Sequence, residues 1–106
     1  MADVSEKIQE MQLLEQSLQQ ILMQRQAFQM EISETTNALE EIKKAGDEIF
    51  KIVGQLMIKT EKKKTQDELE NKKKVLDLRV KTLEKQEKTI TEKLQKLQQE
   101  VLKSTK

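Results

Sequence analysis

The chain of 106 residues contains no Pro, Cys, His, Trp or Tyr, only two glycines, and aromatic residues at 2%. Each absence removes a class of function. Without Cys or His there is no disulfide framework, no thiolate nucleophile, no imidazole base and no usual zinc ligand set. Gly46 and Gly54 are the only glycines, so no phosphate-cradling loop can form, and no GxxxxGKS/T pattern is present to hold ATP. No catalytic residue, metal or cofactor is expected, and the chain is expected not to be an enzyme.

No apolar run approaches the roughly 20 residues of a membrane span, and residues 1–20 lack the basic-then-apolar order of a signal peptide. The absence of Cys fits a reducing compartment, so a cytoplasmic location without membrane contact is expected.

What is abundant is charge, 37% of all residues, carried on a background rich in Leu, Gln, Glu and Lys. So few aromatic side chains cannot fill a globular core, but such a composition can pave one stripe of a long helix. Residues 1–45 hold eight acids and four bases, net −4, residues 46–59 are neutral, and residues 60–106 hold nine acids and fourteen bases, net +5. Two halves of opposite sign attract when the chain folds back on itself. Lys62, Lys63, Lys64, Lys72, Lys73 and Lys74 could alternatively form a nucleic-acid patch. Acids stand close by and no aromatic or Arg residues interleave, so no nucleic-acid partner is expected.

Heptad periodicity is explicit in both halves. Positions 4, 7, 11, 14, 18, 21, 25, 28, 32, 35, 39 and 42 carry Val4, Lys7, Met11, Leu14, Leu18, Ile21, Arg25, Phe28, Ile32, Thr35, Leu39 and Ile42, nine of them apolar. An unbroken 3,4 spacing over that length predicts a coiled-coil seam. Asp3 with Glu6 is expected to cap the start of this helix, and Lys43-Lys44-Ala45-Gly46 to close it. The second seam comprises Leu69, Lys73, Leu76, Val80, Leu83, Glu87, Ile90, Leu94, Leu97 and Val101, eight of them apolar. Thr65-Gln66-Asp67-Glu68 reads as a capping box before it. Two helices of about 40 residues, each roughly 60 Å long, are predicted over about 4–45 and 65–104.

Between them the period changes. Ile49-Phe50-Lys51-Ile52-Val53 and Leu56-Met57-Ile58-Lys59-Thr60 flank Gly54-Gln55, which predicts a hairpin over about 49–60 with a type II′ turn. Val53 then opposes Leu56, Ile52 opposes Met57 and Phe50 opposes Lys59. Both faces of such a sheet are largely apolar, and nothing else in the chain can cover them. The economical solution is an oligomer whose hairpins join. A continuous bent helix over 49–60 would instead leave Phe50, Ile52, Val53, Met57 and Ile58 in water. The fold class is thus mainly α, a long antiparallel two-helix coiled coil with a single β-hairpin between the helices, read as one domain over 1–106.

In an antiparallel pair, facing seam residues have a constant number sum, and the connector admits two registers. A sum of 108 pairs Leu39 with Leu69 and Ile32 with Leu76; a sum of 115 pairs Leu39 with Leu76 and Ile32 with Leu83. Both put the two seam charges, Arg25 and Glu87, in adjacent layers, where they can either pair or extend separately to solvent.

The segment from Phe50 to Thr60, with Val53-Gly54-Gln55-Leu56-Met57-Ile58-Lys59 at its centre, resembles the β-type prefoldin subunit. Glu68-Leu69 and Leu83-Glu84-Lys85-Gln86-Glu87 in the second helix add to the resemblance, which covers nearly the whole chain. A single hairpin, not two, is what marks the β type within that family. The resemblance implies an ATP-independent holdase chaperone, a hexamer of two α-type and four β-type subunits whose hairpins build a body and whose coiled coils project from it. It implies that the distal tips bind unfolded client proteins and pass them to a group II chaperonin. Here the hairpin contacts would be Phe50, Ile52, Val53, Leu56, Met57 and Ile58. The client-binding tips would be Val4, Ile8, Met11, Leu13, Leu14, Leu97, Val101 and Leu102. Ile8, Leu13 and Leu102 lie off the seam, where a purely structural coiled coil favours charge, although scattered exposed apolar residues are normal on any helix. A structural coiled-coil adaptor with a fixed partner is the other reading, and the hairpin discriminates, because a rod needs no interrupted heptad.

Overall fold

The computed structural model describes residues 4–104. The order of elements is α1 (Val4–Lys44), β1 (Glu48–Val53), β2 (Leu56–Glu61) and α2 (Lys62–Ser104). The mainly helical fold with one antiparallel hairpin between two long helices agrees with the expectation from periodicity. Asp3, expected to cap α1, lies outside the described residues.

Every seam position named above is at least partly covered, and most other helical positions are exposed. The most buried apolar residues are Leu39, Ile49, Leu76, Val80, Leu83 and Leu94. Thr35 is a polar residue buried in the seam, and its hydroxyl is satisfied there because Oγ1 donates 2.8 Å to the carbonyl of Glu31 one turn back. On α2 the sequence sets an acid four residues before a base in Glu70/Lys74, Asp77/Lys81, Glu84/Lys88 and Glu92/Lys96. That order favours a solvated helix by about 0.2–0.5 kcal/mol per pair.

The chain divides into two compact units, Met1–Ala27 with Val80–Lys106, and Phe28–Arg79. In the first unit Lys7 Nζ lies 3.5 Å from Glu100 Oε2. In the second, the Arg79 guanidinium sits 5.6 Å from the centre of the Phe28 ring, and Lys62 Nζ donates 2.8 Å to the Ala45 carbonyl. Each of these three partnerships sums to 107. Within each unit they therefore select the register with a sum of 108, since a sum of 115 would move each partner a full turn further along both helices, beyond the reach of a side chain.

The hairpin pairs Glu48 with Glu61, Ile49 with Thr60, Phe50 with Lys59, Lys51 with Ile58, Ile52 with Met57 and Val53 with Leu56. The three oppositions expected from the sequence are all present. Gly54 has φ +62° and Gln55 stays at negative φ, as a type II′ turn requires and as only Gly adopts without strain.

Two local expectations are corrected. Strand β2 runs straight into α2 at Lys62, so Thr65 lies inside the helix and is not its cap. Its hydroxyl instead lies 3.2 Å from that of Thr60, and Glu68 turns to Lys51, 3.9 Å away. At the end of α1 the Ala45 amide donates to both Glu41 and Ile42, but Gly46 does not adopt the left-handed conformation of a glycine cap. The Ala45 carbonyl is capped by Lys62, which satisfies an orphan acceptor and sets a cation at the negative end of α1.

Candidate functional site

Period-2 alternation gives the hairpin two faces, and the register fixes which residues share each. Ile49, Lys51, Val53, Leu56, Ile58 and Thr60 lie on one; Glu48, Phe50, Ile52, Met57, Lys59 and Glu61 lie on the other. Ile49 is buried and Thr60 half-buried, so the first face is anchored at its base. Its outer part is not covered, and neither is the second face: Phe50, Ile52, Val53, Leu56, Met57 and Ile58 are all between 48% and 71% exposed. Burying one such side chain is worth about 1.5–3 kcal/mol, and six of them stand in water on one small sheet, a concentrated apolar surface rather than scattered exposure.

Two ion pairs frame this surface. Lys51 reaches Glu68 on α2, and Lys59 Nζ lies 3.4 Å from Glu48 Oε1, diagonally across the two strands. Beneath the second face Phe50, Ile52 and Met57 share an open recess of about 430 Å³ with Glu41, Ile42 and Ala45 at the end of α1. Among the described residues β1 and β2 pair only with each other, which leaves the outer edge of each strand free to accept another strand.

A second surface is formed in the unit of Met1–Ala27 with Val80–Lys106. Val4, Met11, Leu14, Leu97 and Val101 lie on its seam and are partly covered. Ile8, Leu13 and Leu102 lie off the seam at 42%, 64% and 65% exposure. Met23 in this unit, and Met30, Val75 and Leu78 in the unit of Phe28–Arg79, are also exposed, and the heptad count sets all of them off the seam.

No cluster of His, Cys, Asp or Glu able to hold a metal ion occurs among the described residues, and no described helix is long and apolar enough to cross a membrane. The two lysine triplets do not form one basic face. Lys62 is engaged at the end of α1, and Lys73 occupies a seam position, partly covered.

Comparison with known proteins agrees with this arrangement. The family model described as "Prefoldin subunit" matches residues 5–105. The prefoldin subunit beta of Thermococcus onnurineus is 44% identical over 89 residues, covering 82% of this chain and 77% of the relative. That of Archaeoglobus fulgidus is 34% identical over 100 residues, covering 92% and 86%. The crystal structure of the prefoldin beta subunit from Thermococcus strain KS-1 superimposes with a TM-score of 0.87 at 35% identity, covering 95% of this chain and 90% of that one. Heptad helices, a single hairpin and these relatives together show that the chain belongs to the prefoldin family of chaperones, as a subunit of the β type.

Proposed function

We propose that this subunit assembles through its hairpin with α-type subunits and further β-type copies, in a hexamer of two α and four β chains. In that assembly Phe50, Ile52, Val53, Leu56, Met57 and Ile58 lie between subunits. The ends of the helix pair capture unfolded proteins without ATP through Val4, Ile8, Met11, Leu13, Leu14, Leu97, Val101 and Leu102, and the cargo passes to a group II chaperonin in the cytoplasm. The single observation that carries this reading is the concentration of six exposed apolar side chains on a two-stranded sheet, in a chain whose helical seams are otherwise covered. A hairpin so exposed has little stability alone and gains it by extending into a larger sheet. Exposed Leu and Ile beside a seam that contains Met suit clients of no fixed sequence, because Met adapts its shape to irregular apolar partners.

Co-expression with an α-type subunit, followed by mass measurement and by light scattering of a denatured test protein, tests both halves of the proposal. A hetero-hexamer that suppresses aggregation in the absence of ATP is expected. A monodisperse β chain that neither joins the α type nor delays aggregation would refute it.

A further inference from the structure

In the unit of Met1–Ala27 with Val80–Lys106, the sum of 108 sets Met11 opposite Leu97, Leu14 opposite Leu94 and Leu18 opposite Ile90. These three layers are wholly apolar. The next layer outward sets Lys7 opposite Val101, and beyond it Val4 falls opposite Ser104. Among the described residues no apolar seam pair closes that end. What crosses between the helices is the contact of Lys7 Nζ with Glu100 Oε2 at 3.5 Å, with 22% of the lysine side chain and 37% of the glutamate side chain exposed.

We propose that the Lys7–Glu100 pair is a latch on the client-binding end of the helix pair, holding Met11, Leu97 and Val101 covered when closed and presenting them to a non-native polypeptide when open. This rests on the assignment of that end to client capture. Lys7 occupies a seam position where a Leu would weld the layer shut. Its side chain is largely covered there, and its ammonium reaches Glu100 on the other helix. A pair this accessible to solvent holds weakly and is screened by salt, so the two helix ends can part and rejoin readily. When they part, the newly bared Met11, Leu97 and Val101 join Ile8 and Leu102, which are exposed already. The outer end of the seam then forms one apolar patch, and the inner apolar layers Leu14/Leu94 and Leu18/Ile90 limit how far it opens.

The test uses the full chain assembled with its α-type partner, comparing wild type, Lys7→Leu and Glu100→Gln. Backbone amide exchange over residues 7–11 and 97–103 should slow several-fold in Lys7→Leu and quicken several-fold in Glu100→Gln. Raising salt from about 0.05 M to about 0.5 M, which shortens the screening length to a few ångströms, should quicken exchange in wild type but not in Lys7→Leu. Suppression of aggregation of a denatured test protein should fall in Lys7→Leu and rise in Glu100→Gln. Exchange that responds to neither substitution nor salt would overturn the latch. Exchange that responds while capture by Lys7→Leu stays at or above the wild-type level would also overturn it, by showing that the covered seam residues are not what clients contact. The assignment of the chain ends to capture is judged separately: it fails when a complex lacking both ends protects clients as well as the full-length one.

Discussion

Arg25 Nε lies 3.4 Å from Glu87 Oε2, joining the two charged residues of otherwise apolar seams across the unit of Met1–Ala27 with Val80–Lys106. In the 108 register Arg25 stands opposite Leu83 and Ile21 opposite Glu87, so the contact spans one turn along the seam. The two side chains are 28% and 29% exposed, and Arg25 Nε is buried without a hydrogen-bond acceptor. The contact of Arg25 Nε with Glu87 is therefore one of charge and not a well-directed hydrogen bond.

That geometry decides the size of the expected coupling. Residues sharing one network couple by about 0.5–3 kcal/mol, and a misaligned pair near solvent belongs at the lower end, about 0.5–1 kcal/mol. A double-mutant cycle of Arg25→Leu and Glu87→Leu, read by chemical denaturation of the assembled complex, should return a coupling in that range. Each single substitution should destabilise more than the double, because each leaves one charge in the seam unpartnered. Purely additive changes would show that the two side chains act separately.

The hairpin should control assembly. Ile58 is 48% exposed and lies on the same face as Val53 and Leu56, where a carboxylate would be desolvated without a partner in a subunit contact. Ile58→Asp should leave a helical chain that no longer enters the hexamer, as measured by native mass spectrometry and circular dichroism. An intact hetero-hexamer containing Ile58→Asp would count against the hairpin assignment.

The chain ends should control capture. Deleting residues 1–10 and 99–106 shortens both helices at the same end of their unit and removes Ile8, Val101 and Leu102, while leaving the hairpin untouched. The truncated complex should remain hexameric by mass and lose most of its ability to delay aggregation of a denatured protein. Equal protection by the two complexes would sink the assignment.

Lys62 should hold the end of α1. Its ammonium caps the Ala45 carbonyl at 2.8 Å, and a cation at a helix C-terminus contributes about 0.3–1 kcal/mol. Lys62→Met keeps the aliphatic stem and removes the charge, so stability should fall by about that amount, with faster amide exchange confined to residues around Ala45. No change in exchange there would mean that solvent caps the carbonyl equally well.

Sequence alone determined the type of each element, because each is a local period. A 3,4 spacing that persists from Val4 to Ile42 and from Leu69 to Val101 can bury a continuous stripe only as a helix, and the short β-branched and apolar runs on either side of Gly54-Gln55 have the length and turn of a hairpin. The apolar residues of both candidate surfaces were legible for the same reason: each belongs to a seam, stands beside one, or lies on a two-sided strand. Caps were legible less well. The Thr65–Glu68 box satisfies a local rule, yet a strand running directly into α2 removed the loop in which it would act, and a residue seventeen positions from Ala45 supplied the cap on α1. Register along the helix pair was narrowed to two alignments by the heptads and the connector, and the tertiary structure chose between them. A heptad pattern repeats every seven residues, so sliding one helix by seven returns apolar side chains to apolar positions and costs nothing that periodicity can register. Only side chains of limited reach, Lys7 to Glu100 in one unit and Arg79 to Phe28 in the other, distinguish one alignment from the next.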